Sequence, residues 1–372
     1  GDLEVGYSHN NRKFDSDLFY FGSVYNTKRD TNTSAMRAKL TVEARPFNFR
    51  NLAVTGIDYD ESDVTNMTTS FGSTTDSDIK KKEIGLYLQD ELFVTDKISL
   101  SFGYRYSDAK FTNRVSGFTS VADRQKFTED SFRAGATLNY AKGSKVFVNY
   151  SKGYRLPTTD EVFDFSGVIT DLKPETSDTY EAGVVHAFGK DLQARLTVYL
   201  MDVRNELFFN PIGGGGFGAN ENLDKTRHYG VETGFSASLT DAVSVFGNFT
   251  YTDARFSSGP YDDNHIQLVP NLSASIGADY RFLKSFLFSA NANWVGEKYL
   301  DNDVENSFDK AESYTVVNAK LSYTYKNITA YAGVNNIFDE EFSEYSIVGF
   351  SGNKNFYPAP ERNFYGGLRI TL

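Results

Sequence analysis

The sequence contains no cysteine and a single tryptophan, Trp294, with eight prolines and three methionines spread over 372 residues. Without thiols it can form no disulfide, no Cys nucleophile and no thiolate metal site. Nowhere do about 18 apolar residues follow one another, which excludes a helical membrane span. Proline is too sparse to mark a linker and no shift of composition divides the chain. One continuous architecture is therefore expected in place of the two or three domains that this length would usually hold. There is no cationic excess either: 49 acidic residues against 38 basic give a net charge of −11, which argues against nucleic acid as a partner. No signal peptide is visible, since Gly1 opens directly into Leu3, Val5 and Tyr7 alternating with Glu4, Gly6 and Ser8.

What the sequence has instead is aromatics, 32 Phe and 24 Tyr, and a strict alternation of apolar and polar residues. Ile98, Leu100, Phe102, Tyr104 and Tyr106 interleave with Ser99, Ser101, Gly103, Arg105 and Ser107. Leu192 to Leu200, Leu272 to Phe282 and Phe286 to Trp294 repeat the pattern. A period of two means strands with one apolar and one polar face. A membrane barrel shows only every second residue to lipid, so the mean hydropathy of −0.43 does not oppose a membrane location.

About seventeen strands are expected, near 1–9, 17–27, 33–45, 50–61, 80–94, 97–111, 129–141, 144–155, 177–189, 191–207, 225–239, 242–255, 268–282, 285–299, 313–325, 327–337 and 361–372. Short connections at 45–48, 95–96, 142–143, 189–190, 240–241, 283–284 and 325–326 alternate with long ones near 62–79, 112–128, 156–176, 208–224, 256–267, 300–312 and 338–360. Such one-sided loops fit an all-β, antiparallel, up-and-down transmembrane β-barrel, with short periplasmic turns and long extracellular loops. Sandwich strands are shorter, and no propeller repeat is found. Aromatics such as Tyr104, Tyr106, Tyr140, Tyr280, Phe282, Tyr323 and Tyr325, at the ends of apolar faces, suit interfacial girdles.

Several strings resemble one family. LYLQDELFVTDKISLSFGYRYSDAKF (Leu86 to Phe111), KGYRLPTTDEVF (Lys152 to Phe163) and LKPETSDTYEAGV (Leu172 to Val184) are similar to the barrel of TonB-dependent outer-membrane receptors of the siderophore-receptor type. So are RHYGVETGFSASL (Arg227 to Leu239), GVNNIFDEEFSEYS (Gly333 to Ser346) and YPAPERNFYGGLRITL, although the last strand ends in Leu372 where the family most often has Phe. The first eighty residues match only in rhythm. The resemblance implies a barrel of about 22 strands with a plug in its lumen. Residues 1–372 would then be a partial barrel, the plug and first strands being absent.

By that resemblance the protein is a multi-pass outer-membrane receptor of a Gram-negative bacterium. It takes up a scarce nutrient, most readily a ferric siderophore or similar metal chelate, and is driven by the TonB complex through the missing N-terminal region. Outer-membrane lipid and lipopolysaccharide are the other expected partners, and a monomer is expected. A cobalamin or haem receptor of the same family, or a passive porin-type channel, is the alternative.

Ligand contacts are expected from strand tops and loops: Tyr154 and Arg155, Phe163 and Phe165, Phe208, Phe209 and Phe217, and Tyr357. Aromatic rings stack on a planar chelate and Arg offers paired donors to an anionic one, while loop packing is the plainer role for each. The glycine-rich 211–220 stretch lacks Gly-Lys-Ser/Thr, so it reads as a loop rather than a phosphate cradle. Acidic pairs at Asp262 and Asp263, at Asp301, Asp303 and Glu305, and at Glu340 and Glu341 lack EF-hand spacing, and His9, His186, His228 and His265 are far apart. No metal site, cofactor or enzyme activity is expected, since no nucleophile elbow or His-Glu-x-x-His motif occurs.

Overall fold

The alternating segments become strands with their greasy face outward. In the computed structural model Thr197 is 2% exposed between Leu196 at 43% and Val198 at 46%, and Ser322 is 8% exposed between Leu321 at 42% and Tyr323 at 41%. A soluble protein would reverse this order, whereas a wall between lipid and a polar lumen requires it. The structure describes all residues except 21–22, 71, 117–120, 163–169, 211–217, 350 and 372. Among them no helix is long and apolar enough to cross a membrane, which leaves crossing by strands untouched.

The strands are β1 (Asp2–Tyr20), β2 (Ser23–Ala44), β3 (Arg50–Ser70), β4 (Ser73–Phe93), β5 (Ile98–Ser116) and β6 (Val121–Ala141). Then come β7 (Ser144–Arg155), β8 (Glu175–Phe188), β9 (Leu192–Asn210), β10 (Ala219–Ser238), β11 (Val243–Phe256) and β12 (Leu272–Phe282). The last are β13 (Phe286–Val295), β14 (Tyr314–Tyr325), β15 (Ile328–Asn335), β16 (Ser343–Val348), β17 (Lys354–Pro358) and β18 (Asn363–Ile370). Sixteen of them follow one another in one antiparallel sheet, with β18 beside β15, and β16 pairs with β17 apart from it. All the short turns lie where expected. Gly143 and Gly189 close two of them at φ of 72° and 73°, a region that costs glycine least.

Five expectations need correction. The strand expected at 17–27 straddles a hairpin tip, since β1 ends at Tyr20 and β2 begins at Ser23. The long loops expected at 62–79 and 112–128 are largely strand, because β3 runs on to Ser70 and β4 begins at Ser73, while β5 runs on to Ser116 and β6 begins at Val121. The 208–224 loop shrinks likewise between β9 and β10. The 338–360 loop contains the unforeseen β16–β17 hairpin, so the count is eighteen among the described residues.

β5 shows why the tips were missed. From Ile98 to Tyr106 its apolar residues alternate outward and Ser99 and Ser107 are buried. Beyond Tyr106 the phase inverts: Ala109, Phe111 and Val115 are buried while Lys110, Arg114 and Ser116 are exposed. Above the membrane the outer face meets water and the inner face meets packed protein. A period-two reading that demands one phase therefore stops there.

Chain contacts divide the molecule into two compact units, Gly1–Ala136 with Asn149–Thr179 and Val203–Asp224, and Thr137–Val148 with Tyr180–Asp202 and Lys225–Leu372. The first holds the apolar core, Val64, Ile79, Ala109, Phe111, Phe127 and Val162, with Leu156 against it. In the second, aromatics gather at the short turns: Phe282 stacks on Tyr280 at 5.3 Å and on Phe286 at 5.2 Å, and Phe286 reaches Tyr323 at 4.8 Å. Tyr140 stacks on His186 at 5.8 Å near two further turns. Tyr140, Tyr280, Phe282 and Tyr323 are among the aromatics expected at the ends of apolar faces.

Candidate ligand-binding cleft

In the first unit the connection after β7 folds onto the wall rather than away from it. Val162 is fully buried in the apolar core, and Pro157 and Leu172 are buried beside the chain path. Two ion pairs fix the direction of approach. Arg29 on β2 donates to both oxygens of Asp160, at 3.0 and 2.8 Å, in the planar fork that suits a carboxylate. Arg155 donates to both oxygens of Glu161 at 3.1 Å and to Glu175 at 3.4 Å.

Main-chain bonds complete the turn. The Thr158 amide donates to the Glu161 carboxylate at 2.7 Å, and Thr170 donates from its amide to the Val162 carbonyl at 2.8 Å. The Thr170 hydroxyl donates to the same carbonyl at 2.8 Å. Asn222 on β10 ties the far end, donating to the carbonyls of Lys173 and Asn205 at 2.9 and 2.8 Å and accepting from the Lys173 amide at 2.8 Å.

Between this loop and the upper strands lies an open cleft of about 660 Å³, within the range of about 300–1,000 Å³ usual for small-molecule sites. Asn66 and Thr68 line it from β3, Thr75, Ser77 and Ile79 from β4, and Asn113 and Val115 from β5. Thr159, Asp160, Glu161 and Thr170 come from the loop, and Phe209, Ala219 and Asn220 from β9 and β10. Ser77 donates to Asn113 at 3.2 Å across the β4–β5 pair. Gly218, at φ 83°, lies under the Phe209 ring, where any side chain would collide with it. Its glycine sets the ring against the cleft.

With this geometry in view the sequence finds its relatives. Residues 1–337 match the family model described as TonB dependent receptor-like, beta-barrel. The chain belongs to that family.

It is 32% identical over 277 residues to the "Ferrichrome outer membrane transporter/phage receptor" of Escherichia coli K12, covering 71% of this chain and 35% of that one. The "Ferrioxamine receptor" of Yersinia enterocolitica is 24% identical over 278 residues, covering 70% of this chain and 36% of its own. Among solved structures the ferric yersiniabactin uptake receptor FyuA from Yersinia pestis superposes with a TM-score of 0.80 at 14% identity, covering 99% of this chain and 58% of that one. The chain spans about a third of the length of these curated relatives. The family comprises outer-membrane transport receptors rather than enzymes, and this chain is an outer-membrane protein.

Of the residues expected to touch ligand, Phe209 lines the receptor cleft and Arg155 stands behind Glu161 with its donors engaged. Tyr154 is half-buried on β7 and Phe208 is half-buried on β9. Tyr357 is exposed on β17 with its ring 5.2 Å from Tyr345, and is not among the cleft residues. Phe163, Phe165 and Phe217 lie outside the described residues. The polar lining from β3, β4 and β5 was missed, because it falls in segments read as loops.

The extracellular connections of the second unit carry the acidic pairs noted above. Asp303 is buried and accepts from the Ser307 and Phe308 amides at 2.8 and 3.2 Å, while Asp301 accepts the Tyr345 hydroxyl at 2.5 Å. Among the described residues no three His, Asp or Glu are disposed to hold a metal. Burial pushes the Lys298 ammonium below its ordinary value, and its Nζ donates to the Glu344 carbonyl at 2.6 Å. Burial, aided by Arg255, also lowers the His265 imidazole, whose ring stacks on Tyr299 at 5.5 Å. These groups scaffold the loops.

Proposed function

We propose that this chain forms the membrane wall and the ligand-receiving outer loops of a TonB-dependent uptake receptor for a ferric siderophore or similar metal chelate. The observation that supports the reading most is the inward-folded 156–174 loop. It converts the upper strands of a family barrel into a walled cleft of ligand size. A chelate captured there would be passed inward by work drawn from TonB, since the outer membrane has no ATP. On this reading the plug and the TonB-contacting motif are carried by sequence beyond these 372 residues.

The receptor acts as a monomer. Its apolar band faces lipid, and the exposed cations Lys110, Arg114 and Arg124 above that band meet the phosphates of lipopolysaccharide. Growth of a receptor-deletion strain on a panel of iron chelates and cobalamin, complemented with the full-length gene, tests the proposal. Restored growth on a ferric chelate that depends on TonB is expected. Restoration of general small-solute entry without TonB would overturn active uptake.

A further inference from the structure

No lysine or arginine lines the cleft among the described residues. Asn66, Thr68, Thr75, Ser77, Asn113 and Asn220 present neutral donors and acceptors beside the Phe209 ring, and Asp160 and Glu161 also line the space, each carboxylate paired with an arginine. The cations close by are committed elsewhere: Arg29 to Asp160, Arg155 to Glu161 and Glu175, and Lys81, one step below Ile79 on the same face, to Glu83 at 2.8 Å.

An anion entering such a site loses hydration without gaining an ion pair, since the carboxylates of Asp160 and Glu161 already hold the nearby guanidinium groups. A ligand with no negative charge and a surface of carbonyls, amides and hydroxyls would meet a neutral partner at each edge. We infer that the cleft selects metal chelates of zero or positive net charge and rejects polyanionic ones. The inference rests on the uptake reading and narrows its ligand: ferric hydroxamates, uncharged at the metal centre, are admitted, and ferric tricatecholates, which carry three negative charges, are excluded. It also assigns Arg155 a positioning role, holding Glu161 at the rim.

The test uses cells of the deletion strain carrying the full-length receptor and three radio-iron chelates. These are a neutral ferric trihydroxamate, a trihydroxamate with a free ammonium group, and the ferric tricatecholate trianion. The first two are expected to bind saturably and the trianion at least about tenfold more weakly. Thr75→Lys, which places an ammonium in the cleft and leaves both Arg pairs intact, is expected to reduce that preference by about tenfold, and the gain is expected to fade with salt. Thr75→Gln, of similar bulk, should keep the wild-type ranking.

Wild-type binding of the trianion as tight as that of the neutral chelate overturns the charge rule and leaves the uptake reading standing. Binding of none of the three by receptor present at the cell surface overturns the uptake reading itself, and the charge rule with it.

Discussion

The 156–174 loop of the first unit and the 296–313 loop of the second are both long extracellular connections, yet different bonds hold them. The first is attached through side chains: Val162 and Leu156 in an apolar core, Asp160 on Arg29, Glu161 on Arg155. In the second, a main-chain ladder is added to side-chain bonds such as that of Lys298 Nζ to the Glu344 carbonyl. The Asp301 amide donates to the Ser346 carbonyl, the Val348 amide donates to the Asp301 carbonyl, each at 2.9 Å, and Lys298 bridges Ala311 in both directions. Contacts between side chains can be released singly, whereas a main-chain ladder opens as a unit. The loop bordering the ligand cleft is the one with separable attachments.

Phe111→Ala should make the largest difference between them. Its ring is fully buried under Val162 and packs edge-on against Phe127 at 5.7 Å, so truncation should loosen the first loop by about 3–5 kcal/mol. Hydrogen exchange at the Val162 and Thr170 amides would report it, and unchanged protection would show that the core is not the anchor. In the second unit Asn306 accepts from the His265 amide at 2.6 Å and donates to the carbonyls of His265 and Asp303 at 3.0 and 3.1 Å. Asn306→Ala should cost about 1–3 kcal/mol, seen as faster protease cleavage in 257–271 with no change in 156–174. If both loops respond, the two attachments are not independent.

A smaller effect is expected of Arg29→Met. The pair is partly exposed, so about 1 kcal/mol or less should be lost, and about 1 M salt should bring the wild-type loop to the same exchange rate. The smallest concerns acid. Because burial lowers the folded His265 value below 6.5, the unfolded loop takes up a proton first as pH falls. The contribution is complete above about pH 6.5 and is lost as pH drops through the lowered value. His265→Gln should flatten the pH profile of protease resistance in 257–271, and a profile that keeps its slope would assign it to other groups.

How much of this could be read from sequence differs along single strands. β7 was expected at 144–155 and is Ser144–Arg155, because a Lys-Gly turn opens its alternation and Pro157 lies just past its end. β4 was expected to begin at residue 80 and begins at Ser73, because Ser73 to Asp78 holds no apolar residue to alternate, and just beyond it Lys80 and Lys82 pair with Asp63 and Glu61 on β3. Strand pairing there is held by charged ladders that a hydrophobic pattern cannot reveal. The site shows the same division. Phe209 was legible as an aromatic beside glycine-rich chain, but the partners of Arg155 come from an irregular turn and a strand twenty residues on, which no periodicity brings together. Neutral polar cleft residues such as Thr75 and Asn113 look like any other lumen-facing set until the loop above them is placed.

The phase inversion in β5 also sets a height. Ile98 to Tyr106 is about 26 Å of strand, or about 20 Å of membrane thickness at a tilt of about 40°. Asn113 and Val115 lie seven and nine residues beyond Tyr106, roughly 20 Å higher, so the cleft stands clear of the apolar band of the strand. The strands therefore act as a pedestal, holding the cleft above the plane in which their apolar faces end.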